Sequence, residues 1–169
     1  MLPIGSLNEL SSSDFATALK PLFETAPPLA AALYAGRPFA SYEALLDTAE
    51  ARATALPFED QVRVLNAHPR IGADPASVSA ASYREQGYSS EAMVDATELR
   101  RVYARLAELN AAYERKFGFR FVVFVNRRPK EAILEVLEAR LRNTPEVELA
   151  TGLHELFEIA RDRLRTQSD

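Results

Sequence analysis

The sequence predicts an all-α fold, a single compact helical domain over residues 1–169 with one short extended segment. Apolar residues recur at intervals of three and four along most of the chain, which is the spacing of a helix buried on one face. Prolines, glycines and capping residues stand where these runs begin and end. Hydrophobic residues make up 47% of the chain and charged residues 26%, an ordinary globular composition. The chain is therefore long enough to bury a core of its own.

The first half of the sequence predicts five helices, each delimited by a capping residue or a proline. The signals are a Ser6–Glu9 capping box, a Ser13–Asp14 cap on 15–22, a Pro27–Pro28 start for 29–34, a Ser41 cap on 42–56, and Pro57 at the start of 58–67. Proline cannot continue a helix, because it lacks the N–H and its ring clashes with the preceding turn. We therefore expect Pro69 to end the fifth helix directly after His68.

The second half predicts a short helix capped by Ser79 and ending at Gln86, a break over 87–90, and then the longest helix, over 91–117. The apolar face of this helix consists of Leu99, Val102, Tyr103, Leu106, Leu109 and Tyr113. Gly118 is a suitable C-terminal stop. Residues 119–125 are rich in β-formers but have no second strand to pair with, so we expect an isolated extended segment. Helices return from Pro129 and over 146–165.

Composition excludes several classes of protein. The net charge of −4 argues against nucleic-acid binding, which usually needs a basic excess. No apolar stretch approaches the roughly 20 residues of a membrane span. The first residues lack the basic and apolar regions of a secretory signal, and the last three are not the peroxisomal tripeptide. We therefore expect a cytoplasmic protein without membrane or nucleic-acid partners.

The usual cofactor motifs are also missing from the sequence. There is no dinucleotide fingerprint, no P-loop and no nucleophile elbow, and there is no cysteine for thiolate chemistry. His68 and His154 are the only histidines, and neither has a neighbour at a recognised metal-ligand spacing. We expect neither a metal nor an organic cofactor.

His68 is the first candidate for chemistry. Its ring is predicted to lie at the C-terminal end of a helix, where the helix dipole favours the protonated form by roughly 0.3–1 kcal/mol. Such a histidine suits a general acid or base near neutral pH. The alternative is that His68 only caps the last turn of its helix.

Two other features could form a binding site. Ser82, Glu85 and Gln86 can share one helix face, where an acid and an amide could pair with a ureide or amide ligand. Alternatively, that face only contacts water. Residues 119–125 must find partners for their backbone groups, either in nearby loops or in a polar heterocycle bound in a pocket.

These motifs occur in the same order as in a known family. His68-Pro69 with Gly72, Ser82 with Glu85-Gln86, and Leu109-Asn110 through Tyr113 to Phe117-Gly118-Phe119 are the main matches. Arg37-Pro38-Phe39 and Arg163-Leu164 are further landmarks. Across nearly its whole length the sequence resembles the OHCU decarboxylases.

The resemblance implies a compact helical homodimer that works without a cofactor. Its substrate would be 2-oxo-4-hydroxy-4-carboxy-5-ureidoimidazoline (OHCU), which is decarboxylated to (S)-allantoin during urate degradation. His68 falls on the family's catalytic histidine, and Glu85 would take part in catalysis and substrate binding. The implied substrate-binding positions are Pro69, Ser82, Glu85, Gln86, Phe119, Phe121, Val122, Val123 and a C-terminal arginine. Arg163 matches this arginine best, with Arg161 as the alternative.

Two other functions remain open on the sequence alone. Arg127, Arg128 and Lys130 could form the binding surface of a non-catalytic helical module for a small anion or a partner. A relative acting on a different carboxylated ureide heterocycle would share most of the same motifs.

Overall fold

The computed structural model describes residues 1–24, 26–88 and 95–168. Within these ranges the chain forms ten α-helices and one short 3-10 turn, Pro75–Ser77, and no strand. The helices are α1 (Ile4–Glu9), α2 (Ser12–Ala18), α3 (Lys20–Phe23), α4 (Pro27–Tyr34), α5 (Tyr42–Ala55), α6 (Phe58–Asn66), α7 (Ala80–Glu85), α8 (Ala96–Phe117), α9 (Lys130–Arg140) and α10 (Pro145–Ser168). The predicted all-α class is confirmed.

One continuous hydrophobic core joins the two ends of the chain. α10 packs against α3, α5 and α6, while α4 packs against α2, α5 and α6, and α8 packs against α9. The core begins at Leu7 and includes Phe15, Tyr113 and Phe157, each fully buried. Burial of each large apolar side chain contributes about 1.5–3 kcal/mol. None of the described helices is both long and apolar enough to cross a bilayer.

Several of the predicted helix ends are confirmed. The hydroxyls of Ser41 and Ser79 cap α5 and α7 by accepting a backbone N–H three residues later. Gly118 ends α8 in the left-handed region, at φ 80°, where a residue without Cβ is not strained. The predicted start of α8 at Glu91 lies outside the described residues, as do the last two residues of the break over 87–90. Asp95 caps the described part of α8.

Three N-terminal predictions are wrong. Ser6 lies inside α1 rather than at its N-cap, which is Pro3, so the Ser6–Glu9 capping box does not form. Ser11, not Ser13, caps α2. The single helix predicted over 15–22 is also divided into α2 and α3. Pro21 accounts for the division, because it has no N–H to donate to the carbonyl one turn earlier.

Residues 119–125 are neither helix nor strand. As predicted, no strand pairs with them in the described part of the chain. Side chains from the surrounding helices bind their backbone instead, and these bonds cross long sequence separations. The bonds run from Arg120 N–H to Asn66 Oδ1 (2.9 Å), from Phe124 N–H to Glu155 Oε2 (2.6 Å) and from Arg140 Nη1 to the Val122 carbonyl (2.7 Å). α6, α9 and α10 therefore fix the course of this segment.

A buried polar network holds Arg140 behind the segment. Its guanidinium pairs with Glu148, which is completely buried and also accepts hydrogen bonds from Tyr113 and Asn143. Burial raises the pKa of Tyr113, and its bond to Glu148 raises it further. A buried charge without its partner is strongly destabilising, so Arg140 and Glu148 hold each other in place. Because Arg140 also donates to the Val122 carbonyl, the same ion pair fixes the position of Val122.

Candidate active site

A small cavity lies between the end of α6, helix α7 and the segment 119–125. Its volume is about 30 Å³, room for roughly two water molecules. The residues that line it are His68, Pro69, Ile71, Ser82, Glu85, Gln86, Phe121, Val122, Val123, Phe124, Val125 and Ile159. The structure thus brings together eight of the residues singled out in the sequence, from three separate parts of the chain.

His68 follows α6 and is almost completely buried, at 4% exposed. Its backbone N–H donates to the Leu65 carbonyl, and its own carbonyl accepts a bond from Arg120. The Nε2 atom is buried and has no hydrogen-bond partner among the residues that the structure describes. Since buried polar atoms nearly always have partners, an unpaired nitrogen beside a cavity is a candidate contact for a ligand.

The ionisation of His68 differs from the sequence-based expectation. A helix end was expected to favour the protonated ring. Instead, burial and, to a lesser extent, the nearby charge of Arg163 lower the pKa of His68 to about 3. The cost of placing an imidazolium in a buried site exceeds the modest effect of the helix dipole. In the ligand-free protein the ring is therefore neutral at pH 7.

Glu85 is held by Arg163 in a bidentate ion pair. Arg163 Nε lies 2.5 Å from Oε1 and Nη2 lies 2.8 Å from Oε2 of Glu85. The guanidinium is 2% exposed. Burial alone would lower the pKa of Arg163, but its bonds to Glu85 and Glu24 raise it above the ordinary value. Arg161, the alternative, points to Glu50 and Asp47 on α5, so only Arg163 contacts the predicted site residues.

Glu24 is a member of this cluster that the sequence did not identify. Its Oε1 atom accepts hydrogen bonds from Ser79 (2.8 Å) and Ser82 (2.9 Å) and lies 3.0 Å from Arg163 Nη2. No local pattern connects residue 24 with these partners, which follow more than 50 positions later.

The side chain of Gln86 is largely engaged by the protein. Its Oε1 accepts bonds from the Gly72 N–H (2.9 Å) and the Tyr88 hydroxyl (2.8 Å), and its Nε2 donates to the Arg70 carbonyl (3.3 Å). Gln86 therefore fixes the loop that follows His68. At most one amide N–H is left for a ligand.

Phe119 lies outside the cavity lining, although it was singled out with the rest of its segment. Its ring is 1% exposed and packs against Tyr113 and Phe117. Arg163 also does not line the small cavity. Together with Glu85, Arg84 and Arg127 it lines a larger outer cleft of about 590 Å³. Because Glu85 contacts both spaces, the Glu85–Arg163 pair lies at their boundary.

Two of the three cations proposed for an alternative binding surface donate hydrogen bonds to backbone carbonyls of residues that line the cavity. Arg128 donates to the Phe124 and Val125 carbonyls. Lys130 is buried, and its Nζ donates to the Gln86 carbonyl. Both side chains thus support the walls of the cavity, and burial removes Lys130 from the proposed surface, whereas Arg127 and Arg128 are exposed. Within the described ranges, no group of three or more histidine, aspartate or glutamate side chains is placed to hold a metal ion.

The chain is similar to known proteins in both sequence and fold. A sequence model of the family described as OHCU decarboxylase matches residues 8–165. The 2-oxo-4-hydroxy-4-carboxy-5-ureidoimidazoline decarboxylases of Amia calva and Mus musculus are 33% and 32% identical, over 94% of this chain and 90% and 88% of theirs. A crystal structure of OHCU decarboxylase in the presence of (S)-allantoin superposes with a TM-score of 0.69 at 27% identity, covering 90% of this chain and 98% of that one. The chain belongs to the OHCU decarboxylase family.

Proposed function

We propose that the protein decarboxylates OHCU to (S)-allantoin in urate degradation, without a metal or organic cofactor. The observation that carries this proposal is the buried Nε2 of His68, unpaired in the described residues, in the same cavity as Glu85. The names of the relatives, and the similar crystal structure of OHCU decarboxylase in the presence of (S)-allantoin, support the substrate class.

The reaction makes few demands on the protein. The carboxylate of OHCU is attached to a carbon next to a C=N bond. When the bond to the carboxylate breaks, CO2 leaves, its electron pair forms a C=C bond to the ureido-bearing carbon, and the electrons of the C=N bond move to the nitrogen. The nitrogen then gains a proton while the enol hydroxyl loses one to become a carbonyl. The protein must orient the carboxylate, stabilise the enol-like intermediate and deliver one proton to one face of the ureido-bearing carbon. Preorganised polar groups and one positioned acid–base residue supply these functions.

Glu85 and Arg163 present complementary groups to such a ligand. A ureide offers N–H donors that suit the carboxylate of Glu85, while its carbonyl or anionic edge suits the guanidinium of Arg163. In the ligand-free protein these two side chains bind each other instead of a ligand. Because the inner cavity holds only about 30 Å³, the substrate must enlarge it by entering between the two side chains.

His68 then provides the proton. In the ligand-free protein its ring is neutral at pH 7, because burial lowers its pKa to about 3. A substrate carboxylate beside the ring raises that pKa by direct charge interaction, so the ring takes up a proton in the complex. After CO2 leaves, the proton passes from His68 to the ureido-bearing carbon of the enol-like intermediate, and the imidazole is neutral again.

The remaining lining residues shape the site. Pro69 fixes the direction of the chain after His68, and Ser82 and Gln86 form the α7 wall. Phe121, Val122 and Val123 form the opposite wall, with their backbone held from behind by the Arg140 network. We propose that these residues contact the planar ring of the substrate and set its orientation.

We further propose that residues 1–169 act as a single domain in a cytoplasmic homodimer, as the family resemblance implies. The continuous core supports a single folding unit. One cooperative unfolding transition and a dimeric mass by light scattering are the expected results. Two separate transitions, or a monomeric mass at micromolar concentration, would contradict these parts of the proposal.

The test of the function is a spectroscopic assay with freshly generated substrate. The wild-type protein should consume OHCU faster than buffer does, and His68→Asn should reduce turnover at least about 100-fold. His154→Asn, on the exposed face of α10, is the matched control and should retain activity. Loss of substrate at the buffer rate, or near-normal turnover by a folded His68→Asn protein, would overturn the proposal.

A further inference from the structure

Glu24 occupies an unfavourable backbone position at the end of α3. Its φ of 58° and ψ of −144° fall in a region that residues other than glycine rarely adopt, because the Cβ atom makes it strained. A glycine would close this turn with less strain. The presence of a glutamate here indicates that its carboxylate has a use that offsets the strain.

The carboxylate of Glu24 connects both halves of the candidate site. It lies 3.0 Å from Nη2 of Arg163 on α10. It also accepts hydrogen bonds from the hydroxyls of Ser79, the N-cap of α7, and Ser82, within α7. α7 ends at Glu85. Glu24 therefore contacts one member of the Glu85–Arg163 pair directly and fixes the helix that carries the other.

The charges of the cluster explain why a second carboxylate is needed. Arg163 is 2% exposed, so its charge must remain paired when a ligand takes Glu85 away from it. Glu24 holds Nη2 from the other side, while the carbonyls of Pro21 and Leu22 accept from Nη1. When Glu85 moves away, these contacts still hold the guanidinium in place, and Glu24 still pairs with its charge. The edge of the guanidinium that faced Glu85 can then bind the ligand.

On the basis of the proposed function, we infer that Glu24 is a positioning residue for substrate binding. It keeps Arg163 buried and oriented while Glu85 leaves its ion pair with Arg163 and binds the ligand instead. In Glu24→Gln, Glu85 is the one carboxylate of the described residues that still pairs with Arg163, so opening that pair costs more. Ligand affinity falls as a result, whereas proton delivery by His68 is untouched once the ligand is bound.

The test compares three substitutions at this position by steady-state kinetics and by calorimetric binding of (S)-allantoin. Glu24→Gln and Glu24→Gly should raise KM and weaken allantoin binding by at least about tenfold, with kcat changed by less than about threefold. Glu24→Asp retains the charge on a shorter side chain and should recover part of the affinity. Glu24→Gly is decisive, because glycine suits the turn: unchanged KM and affinity would show that Glu24 only closes the turn and would overturn the inference.

The matched control is Glu50→Gln. This substitution removes a carboxylate from Arg161, which lies 2.6 Å from Glu50, on the same helix as Arg163 but away from the cavity. It should change neither KM nor kcat. If the wild-type protein fails to accelerate decarboxylation, the proposed function fails, and the allantoin affinities alone decide the role of Glu24. If the wild-type protein does not bind allantoin either, both are overturned.

Discussion

Acid should destabilise this protein through His68, because the folded and unfolded states bind protons differently. In the unfolded chain the imidazole has its ordinary pKa of 6.5, whereas burial lowers the pKa to about 3 in the folded protein. Above pH 6.5 the ring is neutral in both states and no stability is lost. As the pH falls below 6.5, the unfolded chain takes up a proton that the folded protein does not, and stability declines down to about pH 3.

The expected size of this effect follows from the same values. Each pH unit between the two pKa values changes the free energy of unfolding by about 1.4 kcal/mol. Going from pH 7 to pH 5 covers about 1.5 units of this range, so the loss assigned to His68 is about 2 kcal/mol. Carboxylates also titrate in this range, and a comparison with a variant that lacks the ring isolates the histidine.

Urea unfolding followed by circular dichroism measures this difference. His68→Asn removes the titrating group, so it should lose about 2 kcal/mol less than the wild-type protein between pH 7 and pH 5. His154→Asn, which replaces an exposed ring, should show no comparable reduction. Equal losses in the wild-type and His68→Asn proteins would refute the argument. An NMR titration of the His68 ring with a midpoint near pH 6.5 would refute it too.

Three further outcomes follow from the structure. Glu85→Ala should weaken binding of (S)-allantoin and reduce turnover, since the ligand loses a buried partner worth about 1–3 kcal/mol; calorimetry with unchanged affinity would exclude this contact. Arg140→Ala leaves Glu148 buried without its cation and should lower the free energy of unfolding by about 3–5 kcal/mol, as measured in urea, and a loss below about 1 kcal/mol would show that the pair contributes little. Activity should survive prolonged chelation and dialysis, and recovery on addition of a metal after a loss would contradict the cofactor-free proposal.

The local part of this structure could be predicted from the sequence. Periodic apolar residues and the caps at Ser41, Ser79 and Gly118 depend on neighbours within one helical turn. The motifs around His68 and Glu85 also identified residues that meet in one cavity. Within the N-terminal run, the apolar pattern predicted one helix over 15–22, whereas Pro21 lies in the first turn of a separate helix, α3.

The contacts that set the chemistry could not be predicted in this way. Glu24 meets Arg163 across 139 positions (163 − 24), and no helical period or motif encodes that distance. The low pKa of His68 depends on burial by several elements, whereas the sequence showed only its helix end. Phe119 has the same composition signal as its neighbours, yet its ring packs into the aromatic core rather than lining the cavity.

The most direct test of the proposed decarboxylase function is the stereochemistry of the product. Without an enzyme, protonation of the planar intermediate occurs from both faces and gives racemic allantoin. A single proton donor on one wall of a closed cavity should deliver the proton to one face. Circular dichroism of the product formed from fresh OHCU should therefore show (S)-allantoin alone, appearing faster than in buffer. A racemic product formed at the buffer rate would contradict the account.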